Sequence, residues 1–485
     1  MTLPNSDRLL MVYTAGKFDP KHHHKGERTP IAAAISDDAG KTWRKLADIV
    51  GGPHEFACVS ICITSKGKIL FGMDWHRIPW NRDLKTGGVL VSIADLKWIN
   101  RLAEKQKDVP PFLIGYTEGR NDLEGGQFVN WVTNRACVVG ADGKGRKVLA
   151  EQLTKKEHSW TQFAGWSPDG KTAIIGSHWE SPENAAWERE HKTFRMTEGW
   201  LSDSCLLDLA TGKITNVTAV DRVSNYNGAG FTPDGKKLLM TSLIKGVSKP
   251  LLMDLDGRNK REVSGGGTGF TYGLNASPDG KRISYHENYQ IYISNADGSE
   301  KRKVETKNPF NFVPQWSPDG QWLLFVSGEH YNCHPHIVKK DGTGLKKLAD
   351  RGGYRGVVQV LKHPDFHSES SDLPVWSRDG KSVYYTAKVG TSIELMRVDL
   401  DGNVRQLTKS KPGTRHYHPA VAPDGKWILF GSDRSGVMQL YVATADGKES
   451  WPVTNVPAGS CAMHGHWQPV GGTKPGVPEK AIPQE

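Results

Sequence analysis

Two groups of imidazoles carry the chemistry that this chain could do. In the first, Glu329-His330-Tyr331-Asn332-Cys333-His334-Pro335-His336 follows His286 by some forty residues. A thiolate and imidazoles are the ligands tetrahedral zinc prefers. The cluster therefore predicts a zinc site in which Cys333 and two or three of His286, His330, His334 and His336 bind the ion. Four protein ligands would make that zinc structural, whereas an open position would make it catalytic; a polar loop without metal is the competing reading. In the second group, His158 and His178 stand 20 residues apart, with Tyr226 and Lys245 downstream. Two imidazoles, a phenol and a cation are the parts needed to abstract a proton beside a carboxylate. Ordinary polarity at the ends of strands is the alternative.

These residues need a scaffold, and a repeated phrase supplies it. Ser-Pro-Asp-Gly occurs at 167–170, 277–280 and 317–320, with Thr-Pro-Asp-Gly at 232–235, Ser-Arg-Asp-Gly at 377–380 and Ala-Pro-Asp-Gly at 422–425. Each copy lies between apolar runs with period-2 character. Proline presets φ, the Asp side chain caps the turn and Gly takes the positive φ that closes it, so each phrase is a hairpin turn. Most copies are followed by another strand and a second turn, as at Ala296-Asp297-Gly298 and Leu400-Asp401-Gly402. Four short strands per repeat is the sign of a β-propeller blade. The longer repeats need insertions, which fall at 179–200 and 351–372.

The expected fold is thus all-β, a single propeller of four-stranded blades over 1–485, seven in number with eight as the alternative. Residues 156–455 supply the six phrase-bearing blades and 1–155 one or two more. His464-Gly465-His466-Trp467-Gln468-Pro469 reads as an inner strand without its turn, so 460–470 would complete the first blade and close the ring, hiding sheet edges. Within 1–155, Ser36-Asp37-Asp38-Ala39-Gly40-Lys41-Thr42-Trp43 resembles the Asp-box of sialidase-type propellers. That resemblance implies a structural hairpin, with Asp38 and Gly40 in the turn and Trp43 between blades. One copy without an arginine triad argues against a sialidase.

Composition agrees. The chain has 53 Gly, 27 Pro and 16 Trp, and no apolar run approaches the roughly 18 residues of a membrane helix. Six cysteines are too dispersed for a disulfide scaffold. A net charge of +10 favours anionic partners, but the basic residues form no long run, which argues against nucleic acid. No secretory leader is visible at residue 1, so the chain is either cytoplasmic or has lost its leader.

In a propeller, residues before each inner strand and after each second strand share one rim. There the sequence concentrates His158, Gln162, Tyr226, Asn227, Tyr272, His416, His418, His464 and His466, then His178, Lys245, His286, His330 and Arg434. Convergent titratable groups in a concavity make that mouth the expected site. Gln162, Asn227, Tyr272, His418 and Arg434 are the candidate substrate contacts.

The phrase-bearing blades over 158–455 resemble the TolB-type (PD40) repeat, shared by binding proteins, peptidase propellers and polysaccharide lyases. Within that set, His158, His178 and Tyr226 resemble the pattern of propeller lyases acting on ulvan, a sulfated uronate-containing polysaccharide. That resemblance implies a zinc-bearing β-eliminating lyase, secreted or periplasmic, monomeric, acting on an anionic polysaccharide, with no nucleic acid or membrane partner. Lys245, aided by Arg434 or a histidinium, would neutralise the uronate carboxylate. His158, His178 or deprotonated Tyr226 would take the C5 proton, and Tyr226 or the second histidine would protonate the leaving oxygen. Where the lyases place an arginine after the tyrosine, this chain has Lys245. Trp179 and Trp200 would stack on sugars or form the insertion's core. A more distant resemblance is to oligogalacturonate lyases, whose metal takes His and Gln ligands that His416, His418, His466 and Gln468 could imitate. The competing class is a non-catalytic TolB-like binding or scaffold propeller. An accessory propeller of a serine peptidase is disfavoured, because no Gly-x-Ser-x-Gly accompanies the blades.

Overall fold

The computed structural model describes residues 1–469 apart from 4–6, 16–29, 51–53, 65–67, 78–87, 96–98, 100–111, 121–132, 192–194, 196–197, 226, 330–331 and 360–368. Seven four-stranded antiparallel sheets form the ring. The second blade, for example, runs Ser159–Trp166, Thr172–Glu180, Trp200–Asp208 and Ile214–Asn216. The third to seventh begin at Asn227, Thr271, Phe310, Val375 and His416. In the first blade the inner strand Ser460–Trp467 pairs with Leu113–Arg120, which pairs with Thr133–Gly140 and then Lys147–Val148. The two ends of the ring meet in that sheet, so neither presents an open strand edge there.

The phrase builds the same turn each time. In the fifth blade, Ser317 Oγ donates to Asp319 Oδ1 at 2.5 Å, Gln321 N donates to the same carboxylate at 3.0 Å, and Gly320 has φ 67°. The turns also interlock around the ring. A Cβ on Gly320 would lie 3.5 Å from Pro278 of the preceding turn, and one on Gly380 the same distance from Pro318. At the closure Gln468 and Pro469 stand in for the missing phrase, with Gln468 Nε2 donating to Gly170 O at 2.7 Å.

Alternation gives way to continuous burial in the second strands. Leu323, Leu324, Phe325 and Val326 are all buried, as are Ile428, Leu429 and Phe430. Each blade is packed on both faces by its neighbours, so both side-chain directions point into core. Tryptophans just before the turns tie blades together: Trp166 Nε1 donates to His466 O, Trp376 Nε1 to Gln315 O and Trp467 Nε1 to Ala420 O, at 3.1, 3.3 and 3.0 Å.

The N-terminal region gives the ring strands of one blade and builds two further sheets beside it. Among its described strands, Leu113–Arg120, Thr133–Gly140 and Lys147–Val148 enter the ring, while Leu9–Thr14, Ile31–Ser36 and Arg44–Val50 form one three-stranded sheet, and His54–Ile63, Lys68–Arg77 and Gly88–Asp95 another. Both sheets share a core with the first and seventh blades. The Asp-box turn forms, with Thr42 N and Oγ1 donating to Asp38 at 2.8 and 2.6 Å. Trp43, however, does not lie between blades. It is 37% exposed, and its indole N–H closes back on Gly40 O at 3.1 Å.

The insertion after the second blade's Glu180 opens with a helix, Pro182–His191, whose Asn184 N is capped by Ser181 Oγ. Trp200 is buried, donating to Glu188 Oε1 at 2.9 Å and meeting Trp160 edge-on, so it belongs to the core. Trp179 lies beneath the Lys156 ammonium, 3.7 Å from the ring centre. Among the described residues, no helix is long and apolar enough to cross a membrane.

Candidate functional site

His158 precedes the second blade's inner strand with φ 62°, and its Nδ1 is buried without a hydrogen-bond partner. His178 ends the neighbouring strand opposite Trp160, and the two rings stack at 5.5 Å. Its Nδ1 shares a 2.9 Å hydrogen bond with Ser202 Oγ. Its Nε2 is buried and unbonded, above Gly176, where a Cβ would come within 2.8 Å of it. Glycine at 176 thus makes room for the ring. Burial pushes the His178 pKa down to about 4, against a smaller opposing pull from Asp203. The imidazole is therefore neutral at ordinary pH, but neither ring nitrogen is open to a substrate proton. General base catalysis needs that access.

Lys245 sits exposed at φ 49° on the tip of the third blade's hairpin between Lys237–Ile244 and Val247–Asp254. Tyr226 lies outside the described residues, and Asn227 begins the third blade's inner strand opposite Ser242. Gln162 is half-buried opposite Gly176. Arg434 is turned away from the channel: its guanidinium lies 4.2 Å from the Tyr441 ring centre and donates to Ser450 Oγ on the outer strand at 2.8 Å.

The residues suggested for zinc are separated by strand geometry. On Asn332–Lys339, Cys333 pairs with Gly328, His334 with Ser327 and His336 with Phe325. Successive side chains alternate in direction, so Cys333 faces away from His334 and His336. Burial raises the Cys333 pKa to about 11, leaving a neutral thiol rather than a thiolate. His334 Nδ1 accepts from Arg351 N at 3.2 Å, and His336 Nδ1 is 2.9 Å from His334 O. His286 is enclosed by aromatic rings, with Nδ1 accepting from Val313 N at 3.4 Å. His330 lies outside the described residues. This donor set does not fit a tetrahedral zinc, and among the described residues no three or more His, Cys, Asp or Glu are grouped to hold a metal.

What the fold gathers at this rim is aromatic. Phe270, Tyr272, Tyr289 and Phe312 all lie within about 6 Å of the His286 ring, and Phe310 packs on Tyr289 at 5.2 Å. Tyr272 is 53% exposed. Tyr289 and Val313 hold positive φ, at 62° and 46°. Such backbone is costly for bulky and β-branched residues and tends to persist where surrounding structure or function demands it.

Inside the channel, inner-strand bulges bring three histidines together. His418 and His464 have φ 48° and 53°, and their rings are 4.8 Å apart. Burial and the neighbouring His418 hold His466 down to about 4; His464 is likewise lowered well below its ordinary value. The grouping of His418 with His464 was legible, since each stands four residues before its blade's turn phrase or the Gln468 that replaces it. His416 is different. It is fully buried, bonded through Nε2 to Ser410 Oγ at 2.7 Å and 3.5 Å from Glu394. Glu394, which no motif marked, is held down to about 2 by hydrogen bonds from His416, Thr408 and Ser410 that outweigh its burial. Gln468 is occupied at the ring closure.

Comparison with known proteins gives the same scaffold and little chemistry. An uncharacterised protein of Agrobacterium fabrum is 26% identical over 225 residues, 40% of this chain and 72% of its own. The Tol-Pal system protein TolB of Bordetella pertussis is 26% identical over 163 residues, a third of each protein. An oligogalacturonate lyase solved with manganese superposes at TM-score 0.46 and 17% identity, covering 67% of this chain and 84% of the other. A likeness that low carries no argument about this chain. Residues 181–414 match the TolB beta propeller domain (PD40).

Proposed function

We propose that the chain is a TolB-like binding propeller that lays an extended protein segment across the aromatic surface of its histidine-side mouth, and that it is not a uronate lyase. The observation that carries this reading is what that rim offers to solvent. Of its imidazoles, His178 and His286 are held neutral by burial, with His178 sealed at both nitrogens, while exposed Tyr272 and half-buried Phe270, Tyr289, Phe310 and Phe312 present a continuous aromatic ridge. Aromatic surface of this kind supplies large contact area at low conformational cost. The TolB relative supports a periplasmic location.

Incubation with ulvan, polygalacturonate and glycosaminoglycans, followed by ultraviolet absorbance of unsaturated uronate, should show no product. In parallel, peptides selected from a displayed library on the wild-type protein should lose about tenfold or more in affinity for Tyr272→Ser/Tyr289→Ser. Uronate product that disappears in His178→Ala would establish the lyase instead.

A further inference from the structure

The opposite mouth of the channel, where the phrase turns converge, holds a cavity of about 290 Å³. Strand ends and turns from the third to the seventh blade line it, among them Pro233, Pro278, Pro318, Trp316, Trp376 and Arg378. We propose that this cavity binds a small carboxylate with an apolar body, anchored by the Arg378 guanidinium. The site is independent of the segment assigned above to the other mouth.

Arg378 is the one place where the phrase departs from its own chemistry. Five copies have proline in the second position and the sixth has arginine. The turn does not need a cation: Ser377 Oγ still donates to Asp379 Oδ1 at 2.6 Å and Gly380 keeps φ 68°. The stem of Arg378 does what proline does elsewhere, packing beneath the next glycine, with a Cβ at Gly425 falling 3.4 Å from Arg378 Cβ. Its charge is therefore surplus to the scaffold.

That charge is half-buried and has no carboxylate within ion-pair distance among the described residues. Its hydrogen bonds go to neutral carbonyls, Nε to Ala422 O at 3.1 Å and Nη2 to Val421 O at 3.4 Å. A guanidinium has five N–H donors, so Nη1 remains to be used. Asp424 of the next turn acts on the guanidinium only from beyond ion-pair distance, so desolvation still outweighs it, and an anion entering the cavity relieves that cost through charge-assisted hydrogen bonds.

A second unspent donor lies in the same wall. Trp376, Trp166 and Trp467 each donate their indole N–H to a carbonyl of the neighbouring blade, but Trp316, 93% buried by its 7% exposure, has none. The other walls are mostly proline, indole and small aliphatic groups, joined by the neutral Asn275, Gln315, Ser317 and Ser377, and none of them carries a second charge. One cation in an apolar cavity suits a monoanion on a hydrophobic body. A strongly hydrated dianion would lose its water there without replacement.

Indole-3-acetate, its uncharged amide and inorganic phosphate, titrated by calorimetry, test the assignment. The acid should bind saturably at one site per chain. The amide, and the acid with Arg378→Gln, should each bind about tenfold more weakly or worse, the loss expected for a hydrogen bond to a charged group. Arg378→Pro, which restores the phrase of the other five blades and so keeps the turn, should abolish binding with an unchanged melting temperature. Trp316→Phe should weaken it a few-fold. Equal affinity for acid and amide, wild-type affinity in folded Arg378→Gln, binding of phosphate in preference to the acid, or no saturable heat with the acid would each overturn the proposal.

Discussion

The two mouths of the channel invert what their residue types advertise. The histidine-side mouth is rich in titratable side chains, yet the fold stacks, buries or hydrogen-bonds them: His178 under Trp160, His286 among four aromatic rings, His416 against Glu394. The turn-side mouth is built from a repeated scaffold phrase and carries one guanidinium, Arg378, with no ion-pair partner among the described residues, beside a mostly apolar cavity. Imidazole density in a sequence measures neither accessibility nor basicity. What matters is whether a nitrogen or a charge has been left unsatisfied by its own protein.

That contrast can be broken from either side. The largest effect is expected at the turn-side closure, where Trp467 is buried, meets Phe112 edge-on at 5.8 Å and donates to Ala420 O. Trp467→Ala should cost about 3–5 kcal/mol in urea unfolding. A smaller loss would mean that ring closure does not hold the two mouths together.

The next effect belongs to the histidine side and depends on pH. His178, His286 and His466 are each depressed to about 4 by burial, from an ordinary 6.5. The unfolded chain then binds more protons than the folded one between those values. Stability should be full above about pH 6.5 and fall as pH drops toward 4, by about 1.4 kcal/mol per pH unit for each such group. Melting temperatures across that range should show a shallower fall for His178→Gln than for wild type. An identical slope would mean that this imidazole is not buried in the neutral form.

Asp319→Ala, which removes the acceptor of Ser317 Oγ and Gln321 N, should cost about 1–2 kcal/mol in the same unfolding experiment. The smallest effect is expected outside the ring. Trp43→Ala should stay within about 0.5 kcal/mol, because the indole is exposed and bonded only to its own turn. A large loss there would give the Asp-box sheet a share in the ring's stability.

The fold was readable because its signal is local and repeated. Each Pro-Asp-Gly turn needs only its own residues to close, and six copies at blade spacing leave little choice of architecture. The zinc reading meets an equally local obstacle: Cys333 and His334 are adjacent on a strand, so the pleat sends them to opposite faces. The proton-abstraction group meets a non-local obstacle. Nothing in the spacing of His158 and His178 reveals that Trp160 and Ser202 would occupy the second ring.

Sequence alone determined the turns, the four-strand repeat and the arginine that replaces a proline at 378, because these depend on residues in covalent reach of one another. Tertiary structure alone decided which side chains would meet solvent, which imidazoles would be neutral and which cation would lack a partner. Burial, desolvation and hydrogen-bond satisfaction are sums over neighbours hundreds of residues apart, as when Trp166 finds its acceptor at His466.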